Sequence, residues 1–222
     1  MPSMFVVGVG PGIGQSVARR FAAEGFDVGL VARSAATTQG VADALASTGA
    51  AVHGATADVA DAPALVAALD ELIAALGAPE VLVYNAGLIR ADRLGELAPE
   101  DQLHAWSVNV VGAITAASHV AGRMADAGGG TILVTGGMPS PSAEMVSLSL
   151  GKAGVRALTE IMAAQYGPLG IHAATVTVGG AVTPGGAFDP DAIAEEYWRL
   201  HSQPAERWER EVLYAARTPA AG

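Results

Sequence analysis

The sequence predicts an α/β fold: a doubly wound parallel sheet in three α/β/α layers. Three observations carry that expectation. Short apolar runs alternate with helical patterns along the chain, a glycine-rich string joins the first run to the first helix, and neither a linker nor an internal repeat divides the 222 residues. That length suits one sizeable core, so a single domain is expected over residues 1–222.

Residues 4–8 read as a short buried strand. Residues 13–24 carry Ile13, Val17 and Phe21 at helical spacing and stop at Gly25, a residue that ends helices easily. Asp27–Ala32 is the next strand, residues 41–47 a helix ending before Gly49, and residues 51–57 a third strand. Ala62–Leu76 repeats leucine at helical spacing up to Gly77, and residues 81–85 form the fourth strand. A long helix is predicted over residues 99–125, then a glycine run at 128–130 and a strand over 131–135. Residues 143–166 read as a second long helix closed by Gly167 and Pro168, Ile171–Val178 as a strand, and the charged tail 190–214 as helical. Strands this apolar are buried on both faces, which calls for helices on both sides. Ligands bind such sheets over the C-terminal strand ends, and residues 185–222 are expected on that substrate side.

Hydrophobic residues make up 51% of the chain and charged residues 15%, a globular composition. With no cysteine, disulfides, thiolate metal sites and a thiol nucleophile are excluded. A net charge of −10 disfavours nucleic acid and anionic membranes as partners. The apolar run 5–9 is too short to span a bilayer and enters a glycine loop directly, so a soluble cytoplasmic protein is expected. His53, His104, His119, His172 and His201 show no ligand spacing, and no metal is expected.

Gly8, Gly10, Gly12 and Gly14 fall between a strand and a helix. Glycines there permit a tight turn and a close backbone approach to a pyrophosphate, with the helix N–H groups aimed at the anion. That context makes the string a dinucleotide site in a Rossmann-type fold. About 20 residues on, where an acid would bind the adenosine ribose, stand Arg33 and Ser34 instead. An arginine suits a 2′-phosphate, so NADP(H) is expected in preference to NAD(H), which remains possible.

These residues resemble the short-chain dehydrogenase/reductase family over nearly the whole chain. Its TGxxxGxG loop matches Val7-Gly8 and Gly12-Ile13-Gly14, with valine for threonine. Asp58-Val59 resembles the adenine-contacting aspartate, and Asn85-Ala86-Gly87 the NNAG motif with Tyr84 for its first asparagine. Asn109 resembles the helix asparagine supporting the active-site water, and Lys152 the lysine of YxxxK. Gly179 and Thr183 are retained from the segment around the PG motif, where Val178 replaces proline. The resemblance implies that these residues contact the cofactor, that Asn109 and Lys152 are catalytic, and that long helices pair subunits into a homo-dimer or homo-tetramer.

The catalytic pattern departs from the family's. Leu148 stands four residues before Lys152, where the tyrosine belongs, and Gly137 falls at the serine position. Without a positioned acid, carbonyl reduction slows roughly 10²–10⁴-fold. Candidate replacements are Thr135, Ser140, Ser142, Ser147, Ser149, Glu144 and Tyr84. Thr135 shares the strand face of Gly137 if the strand continues, whereas Ser149 points about 100° away from Leu148 around the helix. Each hydroxyl also has an ordinary use as a cap or turn. Lys152 serves directly only if burial removes its proton; ribose binding is its expected role. Tyr197, Trp198 and Trp208 either line a substrate pocket or anchor a C-terminal helix. The functional expectation is an oxidoreductase on a small carbonyl, imine or activated C=C with a non-standard proton donor. A non-redox cyclase, lyase or isomerase, or a nucleotide-binding pseudoenzyme, is the alternative.

Overall fold

The computed structural model describes residues 1–215. Seven strands run in chain order: β1 (Ser3–Val7), β2 (Asp27–Ala32), β3 (Val52–Thr56), β4 (Val81–Tyr84), β5 (Gly130–Gly137), β6 (Ile171–Val178) and β7 (Glu211–Tyr214). They form one sheet ordered β3-β2-β1-β4-β5-β6-β7, and every pairing is parallel. The order reverses between β1 and β4, which opens a crevice at their C-terminal ends.

Side-chain alternation builds two cores from the same strands. Met4 and Val6 of β1 face α1 (Ile13–Ala22), α2 (Ala35–Leu45) and α7 (Pro190–His201). Phe5 and Val7 face the opposite layer, α3 (Ala62–Leu76), α5 (Gly112–Asp126) and α6 (Val146–Tyr166). Every residue of β1 and β4, and of β5 beyond Gly130, is buried, so the sheet centre is shielded from water by both layers.

The long helix expected from residue 99 is present with an interruption. α4 (Pro99–Trp106) passes into α5 through a five-residue π turn, Ser107–Val111. Three expectations are corrected. α2 begins at Ala35, because Ser34 caps it by accepting from Thr37 N at 3.3 Å; its two threonines had hidden the start. α6 begins at Val146, where Asp92 accepts from the backbone of Ser147, whereas residues 143–145 are a turn. The tail is helical only to His201. Pro204 has no N–H to continue a helix, and Glu211–Tyr214 alternates exposed and inward side chains as an edge strand beside β6. The rest of the predicted tail segment, 216–222, lies outside the described residues.

Candidate functional site

The crevice at the reversal point is a cleft of about 650 Å³, lined by residues following four successive strands, β1 to β4, together with His104 and Val108 from the helix beyond. Gly8, Arg33, Ser34, Asp58, Val59, Asn85, Ala86 and Gly87, all predicted from sequence, lie on its wall. Its floor depends on contact between two backbones. A Cβ on Gly8, whose φ is +84°, would stand 2.4 Å from the Ala86 backbone, so only glycine lets the β1 and β4 ends meet. Asn85 Nδ2 ties them by donating to Gly8 O at 2.9 Å. Gly12, Ile13 and Gly14 open α1, whose N-terminus has no side-chain cap, whereas α2, α3 and α7 are capped by Ser34, Asp61 and Asp189. Those unsatisfied N–H groups and the helix dipole favour an anion. Arg33 and Ser34 are exposed at the cleft mouth, beside the N-terminus of α2. Asp58, also exposed, accepts from Ala60 N at 2.9 Å. His104, read from sequence as a scattered histidine, lines the cleft as well.

Further along, the π turn sets the position of Asn109. Gly112 N donates to Ser107 O, five residues back, leaving Val108 O free of the usual helical partner. The buried Tyr84 hydroxyl takes that carbonyl at 2.5 Å. Gly112 makes room for it, since a Cβ there would stand 2.2 Å from the Tyr84 oxygen. Tyr84 is thereby removed from the candidate proton donors, and burial pushes its hydroxyl pKa up. Asn109, 2% exposed, accepts from Leu88 N at 2.8 Å and so fixes the turn after β4.

Lys152 comes to the same place from α6. Its ammonium donates to Thr135 O at 2.6 Å, and burial lowers its pKa to about 8. A Cβ on Gly87 would lie 3.5 Å from Asn109 Oδ1 and 3.7 Å from Lys152 Nζ, so the three residues converge. β5 does continue to Gly137, but Thr135 turns its side chain toward Tyr197 of α7, whereas a Cβ on Gly137 would turn toward Lys152 of α6, so the expected shared face is not found. Gly137 leaves an open position: a Cβ there would meet Lys152 Cε at an ordinary 3.7 Å. Leu148 is buried. Arg156 donates to Gly137 O at 3.0 Å and Met138 O at 3.2 Å, holding the β5–α6 turn in which Met138 has a φ of +49°. Gly179 and Thr183 sit exposed beyond β6; Gly179 N is bonded to Tyr214 O and Thr183 N to Phe188 O.

One connection was missed from sequence. The fully buried Tyr197 of α7 meets Thr135 Oγ1 at 2.6 Å, and Thr135 Oγ1 donates to Asn85 Oδ1 at 2.9 Å. Thr135 therefore joins α7, the Gly8 turn and, through its carbonyl, Lys152. Only a pairing of β5 with a helix 62 residues away creates it, and no local pattern announces that. Trp198 packs edge-on against Phe21 at 5.2 Å, and Trp208 stacks on His172 at 5.0 Å, so all three tail aromatics are anchors. A second hollow outside α7 is lined by Glu196, Arg199 and Glu209, whose charges pair with one another.

The family model for short chain dehydrogenases matches residues 3–191. The chain belongs to the short-chain dehydrogenase family. It is 30% identical over 174 residues to a D-threitol dehydrogenase of Mycolicibacterium smegmatis, covering 78% of this chain and 67% of that one. A probable galactose dehydrogenase of Rhizobium meliloti is 32% identical, with 81% and 72% covered. Among solved structures, a metagenomic short-chain oxidoreductase in complex with NADP superposes with a TM-score of 0.86 at 25% identity, covering 95% of this chain and 96% of that one. The fold is thus the Rossmann type of this oxidoreductase family, and no described helix is long and apolar enough to cross a membrane.

Proposed function

We propose that this short-chain dehydrogenase binds NADP(H) in preference to NAD(H), and reduces a small carbonyl, imine or activated C=C without the family's serine–tyrosine pair. The observation that carries the reading is Arg33 with Ser34 at the cleft mouth, above the start of α2. A guanidinium, a hydroxyl and a helix N-terminus form a donor set for a 2′-phosphate, and no carboxylate stands at the end of β2 to repel one.

The residues present fit the nucleotide. Gly12, Ile13 and Gly14 offer backbone N–H groups to a pyrophosphate, while Gly8, whose own N–H donates to Val31 O, supplies the close turn beneath it. Asp58 and Val59 border the adenine position, Asn85 to Gly87 support the central ribose, and Gly179 and Thr183 approach the nicotinamide end from the β6–α7 loop. Lys152 donates to ribose hydroxyls, and Asn109 holds the Leu88 turn beneath them. When bound, the nucleotide supplies hydride. The remaining chemistry, orientation and proton supply, belongs to the protein.

The deciding experiment is a paired titration of the protein with NADPH and NADH, read by tryptophan fluorescence or calorimetry. NADPH is expected to bind at least tenfold more tightly, with the preference lost in Arg33→Ala. Absence of binding by either nucleotide sinks the reading.

A non-redox reaction in the same pocket is favoured by one observation, the lack of a hydroxyl at both 137 and 148. Stoichiometric consumption of NADPH during turnover excludes it. We further propose a single domain over residues 1–222 with 185–222 on the substrate side, a cytoplasmic location, and a homo-dimer or homo-tetramer. The apolar side chains exposed on α4, α5 and α6, including Trp106, Ile114, Leu150 and Ile161, suit such an assembly. Light scattering that returns a monomer rejects the assembly.

A further inference from the structure

Most of the candidate hydroxyls near the site are already committed, and Ser140 is exposed on the β5–α6 loop, outside the Asn109–Lys152 cluster. Thr135 Oγ1 is bonded to Asn85 and Tyr197, on the side of β5 that faces α7. Tyr84 donates to Val108 O. Ser147 Oγ donates to buried Asp92 at 2.8 Å, and Ser149 Oγ accepts from Ser142 N at 3.0 Å. Ser142 Oγ accepts from Glu144 N, and the Glu144 carboxylate is paired with Arg93. Leu148 and Gly137 carry no proton.

Lys152 is different on three counts. It is the one lysine of the chain, the other eleven cations being arginines that keep their proton at any physiological pH. It is 8% exposed, yet among the described residues it forms no ion pair. Of its three N–H donors, one is used, on Thr135 O, and the nitrogen lies beside Asn109 and behind Gly87, which lines the cleft.

We propose that Lys152 is itself the proton donor and acceptor of this site, acting directly on the substrate rather than through a tyrosine. The inference rests on the reductase reading above. During reduction of a carbonyl, the carbon receives hydride and its two electrons from NADPH, which is oxidised to NADP⁺. The C=O π pair moves to oxygen, one Lys152 N–H bond breaks, and an O–H bond forms. The neutral amine then regains a proton from water. Burial supports this: an ammonium with little solvent around it yields its proton near neutral pH, as the lowered value of about 8 indicates. The surrounding charges leave that balance to desolvation. β5 and the π turn carry no ionised side chain, and His172 lies at the far end of β6. The Arg156 guanidinium is on the Gly137 and Met138 carbonyls, the Asp92 carboxylate is on Ser147, His104 lines the cleft, and Arg90 is half-buried on the segment after β4.

Because there is one lysine, its amine can be read alone. Lysine labelled with carbon-13 gives one side-chain Cε resonance, expected to titrate with a midpoint near 8; a midpoint above 10 overturns the proposal. In parallel, NADPH oxidation by phenanthrenequinone is followed against pH in wild type and Lys152→Arg. The wild-type kcat is expected to fall above the NMR midpoint. Lys152→Arg, which keeps a charge and N–H donors but gives up no proton, is expected to lose at least about a hundredfold in kcat and to show a pH profile that no longer follows the NMR midpoint. If Lys152→Arg turns over within threefold of wild type on an unchanged pH profile, the proposal falls and the reductase reading stands. If wild type binds NADPH yet reduces no acceptor, the reductase reading falls and the proposal with it.

Discussion

The two ends of the cleft are built on different principles. At the β1–β2 end, backbone does the work: glycines, an uncapped helix and the Gly8–Ala86 contact shape a site that side chains merely edge. At the β5–α6 end, side chains do it. Asn109, Thr135, Lys152 and Arg156 each hold a particular carbonyl or N–H, and most of those partners are far away in sequence. A backbone-built site tolerates drift in its neighbours. A side-chain-built site can change its chemistry by losing two hydroxyls and keep its frame.

The contrast can be broken most strongly by restoring what the second end lacks. Gly137→Ser combined with Leu148→Tyr is expected to raise NADPH-dependent quinone reduction by roughly 10²-fold or more, measured as kcat. Gly137→Ser alone fits without displacement, since its Cβ has ordinary contacts. No gain in the double variant means that the frame has been re-tuned around the amine.

At the other end, Gly8→Val places a Cβ inside the Ala86 backbone and demands a left-handed φ. It is expected to abolish nucleotide binding in a titration and to destabilise the fold by roughly 3 kcal/mol in urea.

Lys152→Met sharpens the comparison through stability. The folded amine titrates at about 8 and the unfolded one near 10.5, so the unfolded chain holds more protons between those values. Wild-type stability therefore rises with pH across that window. The methionine variant is expected to be more stable than wild type at pH 7, by up to about 3 kcal/mol. Loss of the bond to Thr135 O offsets part of that gain, and the advantage shrinks steadily as pH climbs past 8. Parallel denaturation curves with a constant difference contradict it.

The smallest effect is expected for Tyr197→Phe. Loss of one buried bond to Thr135 costs about 1 kcal/mol of stability. If α7 orders the site through Thr135, NADPH affinity drops several-fold as well, and the drop disappears in a Thr135→Val background.

β2, α3 and β6 were bounded from periodicity alone because each is a continuous apolar run or a leucine repeat with a glycine or turn at its end. The glycine loop was legible because its context is local: strand, turn and helix are consecutive. What stayed hidden depends on tertiary partners. The helix 99–126 gave no sign of its π turn, since the hydroxyl that stabilises it comes from Tyr84, a residue that looked like a mere departure from a motif. β7 read as helix because four residues carry too little periodicity to outweigh a charged tail with two tryptophans. The bonds that commit Ser147 to Asp92 and Thr135 to Tyr197 lie across the fold.

The turn Ser107–Val111 also acts as a phase shifter. An α-helix advances about 100° per residue, and the π turn absorbs one residue more than a regular helix of the same rise. α5 is therefore rotated relative to an unbroken continuation of α4, and that rotation aims Ala116, Val120 and Met124 at the sheet. Deleting one residue between 107 and 111 would restore a regular helix and leave α5 in place, but it would remove the offset that frees Val108 O for Tyr84 and sets Asn109 on the Leu88 backbone. Chain length in this stretch is constrained as tightly as side-chain identity, and a deletion that a surface loop absorbs easily would here rewire the cleft.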